Sequence, residues 1–148
     1  MLRHEMWRDE LQAWMIARDS ATPAELLRNA RHESHPALWH VLLYGVSRAT
    51  RDPRGMQLLH LCIATGAVCL FVRAAPFSRV QKVLFALGCF PLFEYGIISR
   101  SHSLGMALLF LFCSLCCMRA DIIWIACTLA LLCQTNLIGL LLAVCAAV

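Results

Sequence analysis

The stretch Met56–Val72, MQLLHLCIATGAVCLFV, holds seventeen residues with no formal charge, and His60 is its one titratable group. Three more apolar stretches follow it. Val83–Ser99 is interrupted only by Pro91 and Glu94, and Ser103–Met118 is built from Leu, Phe, Cys and Met with little polar relief. Ile122–Val148 runs on with only Thr128, Gln134, Thr135 and Asn136 as polar residues. A helix needs about 20 apolar residues to cross a hydrocarbon core roughly 30 Å thick, with about 17–25 the usual range. The first three stretches become adequate with their flanks, and the fourth is ample. The expected fold is all-α, a multi-pass transmembrane helical protein with spans near residues 56–72, 83–99, 103–118 and 122–147.

Composition agrees with that reading. Hydrophobic residues make up 60% of the 148, and mean hydropathy is +0.67. Soluble domains carry roughly 45–50% apolar residues, so a soluble chain this apolar would lack the polar residues to cover its surface. Charge is distributed unevenly: residues 1–55 hold fifteen of the twenty-two charged side chains. The net charge of +4 forms no basic stripe interleaved with aromatics, which excludes nucleic acid as a partner. All nine cysteines fall after residue 55, inside apolar runs, where cysteine behaves as a small hydrophobe. Cys113-x-x-Cys116-Cys117 has the look of a metal knuckle, but without a second pair or a nearby His it reads as packing.

Residues 1–55 read as an interfacial head of short amphipathic helices. Trp7, Leu11, Trp14 and Met15 fall at i, i+4, i+7 and i+8, which predicts one apolar helix face suited to a membrane–water boundary. Thr22-Pro23-Ala24-Glu25 predicts a helix start, with Thr as N-cap, Pro in the first turn and Glu as the capping-box acid. Ser34-His35-Pro36 opens a third helix, Ala37–Ser47, too short to span and expected to lie at the surface. Arg73, Arg79 and Lys82 form a loop with no acid, the cleanest cytoplasmic signal in the chain. That placement puts residues 1–55 and the turn Ser99–Ser103 on the outer face and Arg119 inside. Arg48, Arg51 and Arg54 then lie outside, against the positive-inside rule. If residues 36–47 cross instead, the parity flips and Asp9 and Arg100 fall on opposite sides.

Trp7-Arg8-Asp9-Glu10, followed by Ser34-His35-Pro36-Ala37-Leu38-Trp39, resembles the first outer loop of the GT-C glycosyltransferases. Among these it is similar to the protein O-mannosyltransferase and aminoarabinose-transferase group. There an Asp-Glu pair follows the first transmembrane helix, then juxtamembrane helices and a His-Pro-Pro-Leu-like turn. Ala37 stands where the family has its second proline. Ser99–Gly105 resembles the second outer loop, but Arg100 and His102 stand where the family often shows an acid. The resemblance implies transfer of a sugar from a polyprenyl-phosphate carrier to an acceptor hydroxyl, in a membrane with its lipids around the chain. It implies Asp9 as the carboxylate that takes the acceptor's proton, with Glu10 orienting it, binding acceptor or holding a divalent metal. The lipid phosphate that leaves needs fixed cations, for which Arg100 is the first candidate, with His35 and His102 as lesser substrate-binding residues. It also implies a transmembrane helix before Asp9, where this chain has eight residues, so the expectation is an incomplete piece of a longer protein, inactive alone. The absence of N-x-S/T sequons leans toward a bacterial inner membrane.

Blander readings stand beside these. Asp9 and Glu10 suit the solvated face of an amphipathic helix, His35 a turn, and Arg100 a side chain snorkelling to headgroups. Glu94, an acid inside an apolar run, needs a partner from another helix. Gln134-Thr135-Asn136 reads as packing between helices. A small non-catalytic multi-pass protein, such as an assembly partner or gene remnant, is the main alternative to an enzyme. A transporter would want internal repeats and interrupted helices, and only the Pro91/Glu94 break points that way.

Overall fold

The computed structural model describes residues 6–33, 36–89, 91 and 98–147. Every regular element among them is helical. The head is built from α1 (Arg8–Asp19), α2 (Pro23–Asn29), a 3₁₀ turn at Ala30–His32, and α3 (Leu38–Ala49). Thr22 caps α2 as its sequence predicts: its hydroxyl accepts the Glu25 N–H at 3.2 Å, and the Glu25 carboxylate accepts the Ala21 N–H at 2.8 Å. α3 has twelve residues and is about 18 Å long, shorter than a hydrocarbon core. Its inner face packs on α1, and Trp14, Ala17, Leu26, Trp39, Leu43 and Met56 close one core.

The apolar positions of α1 are divided between outside and core. Trp7 and Met15 are 55% and 50% exposed, whereas Glu10, Trp14 and Ala17 are buried. An acid sits inside because both its oxygens are used. Glu10 Oε2 accepts the Trp7 N–H at 2.8 Å and Oε1 accepts the Ser99 N–H at 2.6 Å. Apolar periodicity cannot register a carboxylate satisfied by backbone donors from a distant segment.

The body holds α4 (Arg54–Ala74), α5 (Arg79–Ala86), α6 (Ser101–Cys117), α7 (Ile122–Cys133) and α8 (Leu137–Ala147). Among the described residues, α4 alone is long and apolar enough to cross a membrane: 21 residues, with mean hydropathy 1.8 in its best window. α6, α7 and α8 are shorter apolar helices. The helix expected over 83–99 begins earlier, behind Ser78, whose hydroxyl and Gln81 form a capping box, and it ends at Ala86. Residues 92–97, with Glu94, lie outside the described residues.

The run expected as one helix over 122–147 is two helices. At the break the Thr135 hydroxyl donates to the Leu132 carbonyl at 2.7 Å, and the Asn136 Oδ1 accepts the Gly139 N–H at 2.7 Å. These side chains take over backbone partners that a continuous helix would use, and Asn136 caps α8. Gly139 is required by close approach. A Cβ there would lie 2.4 Å from Thr135 Oγ1 and 2.6 Å from the Leu132 oxygen.

Side-chain pairs fix how the body helices run. His60 meets Ser103 near one end of α4 and α6, and the Phe71 and Phe110 rings meet near the other, centroids 5.1 Å apart. α4 and α6 therefore lie side by side and point the same way, away from the head. α7 returns, with Leu132 against Leu108 and Asn136 against His102. Phe71 also stacks with Phe77 and Phe85 at the far end. There the Lys82 ammonium donates to the Val72 carbonyl at 2.7 Å, at the end of α4. The Arg73–Lys82 loop and Arg119 thus lie at the end of the bundle opposite the head. Polar His60, Ser103, Thr128, Thr135 and Asn136 are buried, while Leu84, Ile122, Trp124 and Leu137 face outward.

Candidate functional site

The head and body meet where α1 begins and α6 begins. Asp9 stands in the first turn of α1, and Arg100 is the residue before α6. The Arg100 guanidinium donates to the Asp9 carboxylate across 91 residues of sequence. Directly beside this pair, Glu10 clamps the Ser99 N–H, so the segment carrying Arg100 is tied to α1 by side chain and backbone together. The Asp9 and Arg100 side chains are 67% and 31% exposed, so water screens their attraction. A pair of this kind contributes about 0–1 kcal/mol and exchanges partners readily.

The pair borders a cavity of about 240 Å³ whose walls include Gln12, Glu33, Trp39 and His40. Gln12 donates to the Glu33 carboxylate at 2.6 Å. Trp39 and His40 are almost fully buried. Trp39 sets its ring edge-on to His60, centroids 6.2 Å apart. Among the described residues, the Arg100 Nε and the Trp39 indole N–H have no hydrogen-bond acceptor. The cavity therefore combines an exposed carboxylate, a second acid, a guanidinium and an aromatic wall. That mixture suits a ligand carrying hydroxyl groups and one anionic group.

The residues singled out from sequence separate into three places. Asp9 and Arg100 come together. Glu10 sits beneath them as a clamp on two backbone N–H groups and does not border the cavity. His102, two residues past Arg100, turns to the other side of α6. It pairs with Asn136, Nδ1 to Nδ2 at 3.2 Å, over a separate apolar cavity of about 210 Å³ lined by Met106, Leu132 and Gly139. His35 lies outside the described residues. Glu10 is committed to two N–H donors and Asp9 to Arg100, and no group of three His, Cys, Asp or Glu side chains that could hold a metal occurs among the described residues.

Gln12, Glu33, Trp39 and His40 were not singled out from sequence. Gln12 carries a local signal, one helical turn from Asp9 on the same face. Trp39 and His40 follow Ser34-His35-Pro36 in the sequence, but only the packing of α3 on α1 shows that they close a cavity. The cysteines are free thiols, most of them exposed on the outer faces of the body helices.

No family model, curated protein or solved structure matches this chain.

Proposed function

We propose that this chain is part of an integral-membrane glycosyltransferase that moves a sugar from a polyprenyl-phosphate carrier to an acceptor hydroxyl. The observation that carries the reading is the meeting of Asp9 and Arg100 beside a polar cavity, at the end of an apolar helix bundle. The outward leucines and isoleucines of the body support the reading of several membrane crossings, near residues 56–72, 83–99, 103–118 and 122–147. With the Arg73–Lys82 loop cytoplasmic, the cavity opens on the outer face, at headgroup depth in a bacterial inner membrane.

In this mechanism the carrier lies with its chain among the body helices and its phosphate at Arg100. The phosphate replaces Asp9 as the acceptor of the Arg100 hydrogen bonds, and the weak, screened pair gives way at small cost. The released Asp9 carboxylate then takes the proton of the acceptor hydroxyl. The hydroxyl oxygen attacks the anomeric carbon from the face opposite the phosphate, and the bond from that carbon to the phosphate oxygen breaks. Its electron pair leaves with the lipid phosphate, whose charge Arg100 offsets. Glu10 positions both partners through the Trp7 and Ser99 backbones.

Turnover of a polyprenyl-phosphate-linked sugar, measured in membranes holding the protein, tests the assignment. Asp9→Asn should lower turnover by about 10²–10⁴-fold with carrier binding kept, because proton transfer is the step removed. Arg100→Ala should weaken both carrier binding and rate, since it touches the phosphate before and during reaction. Full activity in Asp9→Asn would remove Asp9 from the role. A second reading has its own observation: Asp9 and Arg100 occupy one another, as a purely structural fastener would. In that case both substitutions leave any transfer activity unchanged and lower only stability.

A further inference from the structure

Arg48, Arg51 and Arg54 contradict the charge rule that orients the rest of the chain, and the sugar-transfer site uses none of them. In the fold they do not lie along a loop as separate charges. The chain end of α3 folds onto the end of α1: the Ser47 hydroxyl donates to the Ala17 carbonyl at 3.3 Å, and Arg48 donates to Ala17 and Arg18 carbonyls at 3.3 and 2.8 Å. The Arg48 guanidinium also lies 4.5 Å over the Tyr44 ring, and Tyr44 is itself tied to the Ala21 carbonyl at 3.2 Å. Arg48 is thereby held in place. Arg18, Arg48 and Arg51 together border two cavities of about 180 and 340 Å³.

The acids nearby are already engaged. Asp19 receives two hydrogen bonds from Arg18, at 2.7 and 3.1 Å, and Asp52 accepts the Arg54 N–H at 2.9 Å. Among the residues bordering the two cavities, Arg18, Arg48 and Arg51 stand against Asp19 in the wall of the larger one, an excess of two positive charges. Arg51 makes no hydrogen bond or ion pair among the described residues. The depth is set by α4, which begins at Arg54, three residues after Arg51. When α4 crosses a bilayer, the cluster stands at the level of the headgroups. An arginine fork matches the oxygens of a phosphodiester, and a small cleft between a pre-held guanidinium and a free one suits a single phosphate.

We propose that Arg18, Arg48 and Arg51 form a site for the phosphate of an anionic phospholipid headgroup, where α4 enters the membrane. The proposal rests on α4 crossing the bilayer and not on sugar transfer. It also accounts for basic residues on the side where the orientation rule disfavours them, because here they serve a lipid contact.

The test uses the full chain reconstituted into phosphatidylcholine vesicles with trace spin-labelled phosphatidylglycerol or spin-labelled phosphatidylcholine. The immobilised fraction of each label gives the protein's lipid preference. The expected result is a severalfold preference for phosphatidylglycerol. Arg51→Gln should lower it by up to about fivefold, and Arg51→Lys by less. Arg31→Gln, outside the cluster, should leave it unchanged. Arg18→Gln provides a second reading, with the melting temperature of each variant checked in the same vesicles. Equal uptake of the two labels by the unmodified chain overturns the proposal, as does a preference unaffected by Arg51→Gln and Arg18→Gln. Loss of the preference in millimolar inorganic phosphate, but not in chloride of equal ionic strength, would make the site one for free phosphate and overturn the lipid assignment. A chain that does not enter the vesicles at all would overturn the membrane reading along with this one.

Discussion

In the head, Trp14, Leu26, Trp39 and Leu43 point inward, while Arg8, Asp9, Gln12, Arg28 and Arg31 face out. In the body polar His60, Ser103, Thr128, Thr135 and Asn136 are buried beside Ala64, Phe71, Leu108 and Leu132, and leucine, isoleucine and tryptophan also cover much of the outside. The two regions share one core, where Met56, Leu59 and Ile63 of α4 pack with Trp14, Trp39 and Leu43 of the head. The head hides apolar area from water. The body turns much of its apolar area outward, as the membrane reading proposed above requires. Asp9 and Arg100 meet where the two regions join, at the start of α1 and of α6.

The comparison can be broken at the head core. Trp14→Ala should destabilise the head by about 3–5 kcal/mol, the cost of removing a fully buried large ring. Urea titration in mild detergent, followed by Trp fluorescence and far-ultraviolet dichroism, should show head unfolding moving to lower denaturant while helicity from the body persists. A single unchanged transition would mean that the two bundles are not separately held.

Two exposed leucines sharpen it. Leu27 in α2 is 49% exposed and Leu141 in α8 is 57% exposed, so in water alone they would behave alike. If the body faces lipid, Leu141→Arg should cost up to about 3 kcal/mol. Leu27→Arg should stay within about 0.5 kcal/mol, as surface changes do. Melting temperatures of the two variants in nanodiscs measure the difference, and equal shifts would remove the lipid-facing reading of α8.

At the α7–α8 break the expected effect is somewhat smaller. Gly139→Ala should cost about 1–3 kcal/mol, because the new methyl meets a backbone oxygen that cannot turn aside. Thermal unfolding in the same nanodiscs measures it. Ala at Gly45, where a Cβ meets nothing within 4 Å, is the matched control.

The smallest effect concerns Asp19. The hydrogen bond from Arg18 holds its carboxyl below the usual carboxylate range, with the charges of Arg18 and Arg51 acting in the same direction. A carboxyl lowered in the folded state adds stability above its unfolded value near 3.9, and that stability is lost as pH falls through the lower folded value. Unfolding monitored between about pH 5 and pH 2 should therefore show slightly less acid loss in Asp19→Asn than in the unmodified chain.

The all-helical character of the chain was visible in the sequence, because apolar runs and helix-start signals follow one another along it. The cap at Thr22 and the shared position of Asp9 and Arg100 could also be anticipated, since each follows from local chemistry or from counting crossings. The inward turn of Glu10 was hidden, because its second partner is a backbone N–H 89 residues away. The split of the last apolar run was hidden for a related reason. Gln134-Thr135-Asn136 has the composition of an interhelical contact, and the Asn136 amide nitrogen does meet His102, but its amide oxygen also starts a new helix. Which role a polar residue takes among leucines depends on what it meets, and hydropathy carries no information on that.

The parallel run of α4 and α6 has an electrostatic consequence. Both helices begin at the head, at Arg54 and Ser101, so the positive ends of both peptide dipoles face it. Each end is equivalent to roughly half an elementary charge. α7 ends on that same side at Cys133, but α8 begins four residues on at Leu137, and the negative end of one lies beside the positive start of the other. The backbone alone therefore gives the head side of the bundle an attraction for anions, before any arginine is added, and the first helix of the head answers it with two acids in succession.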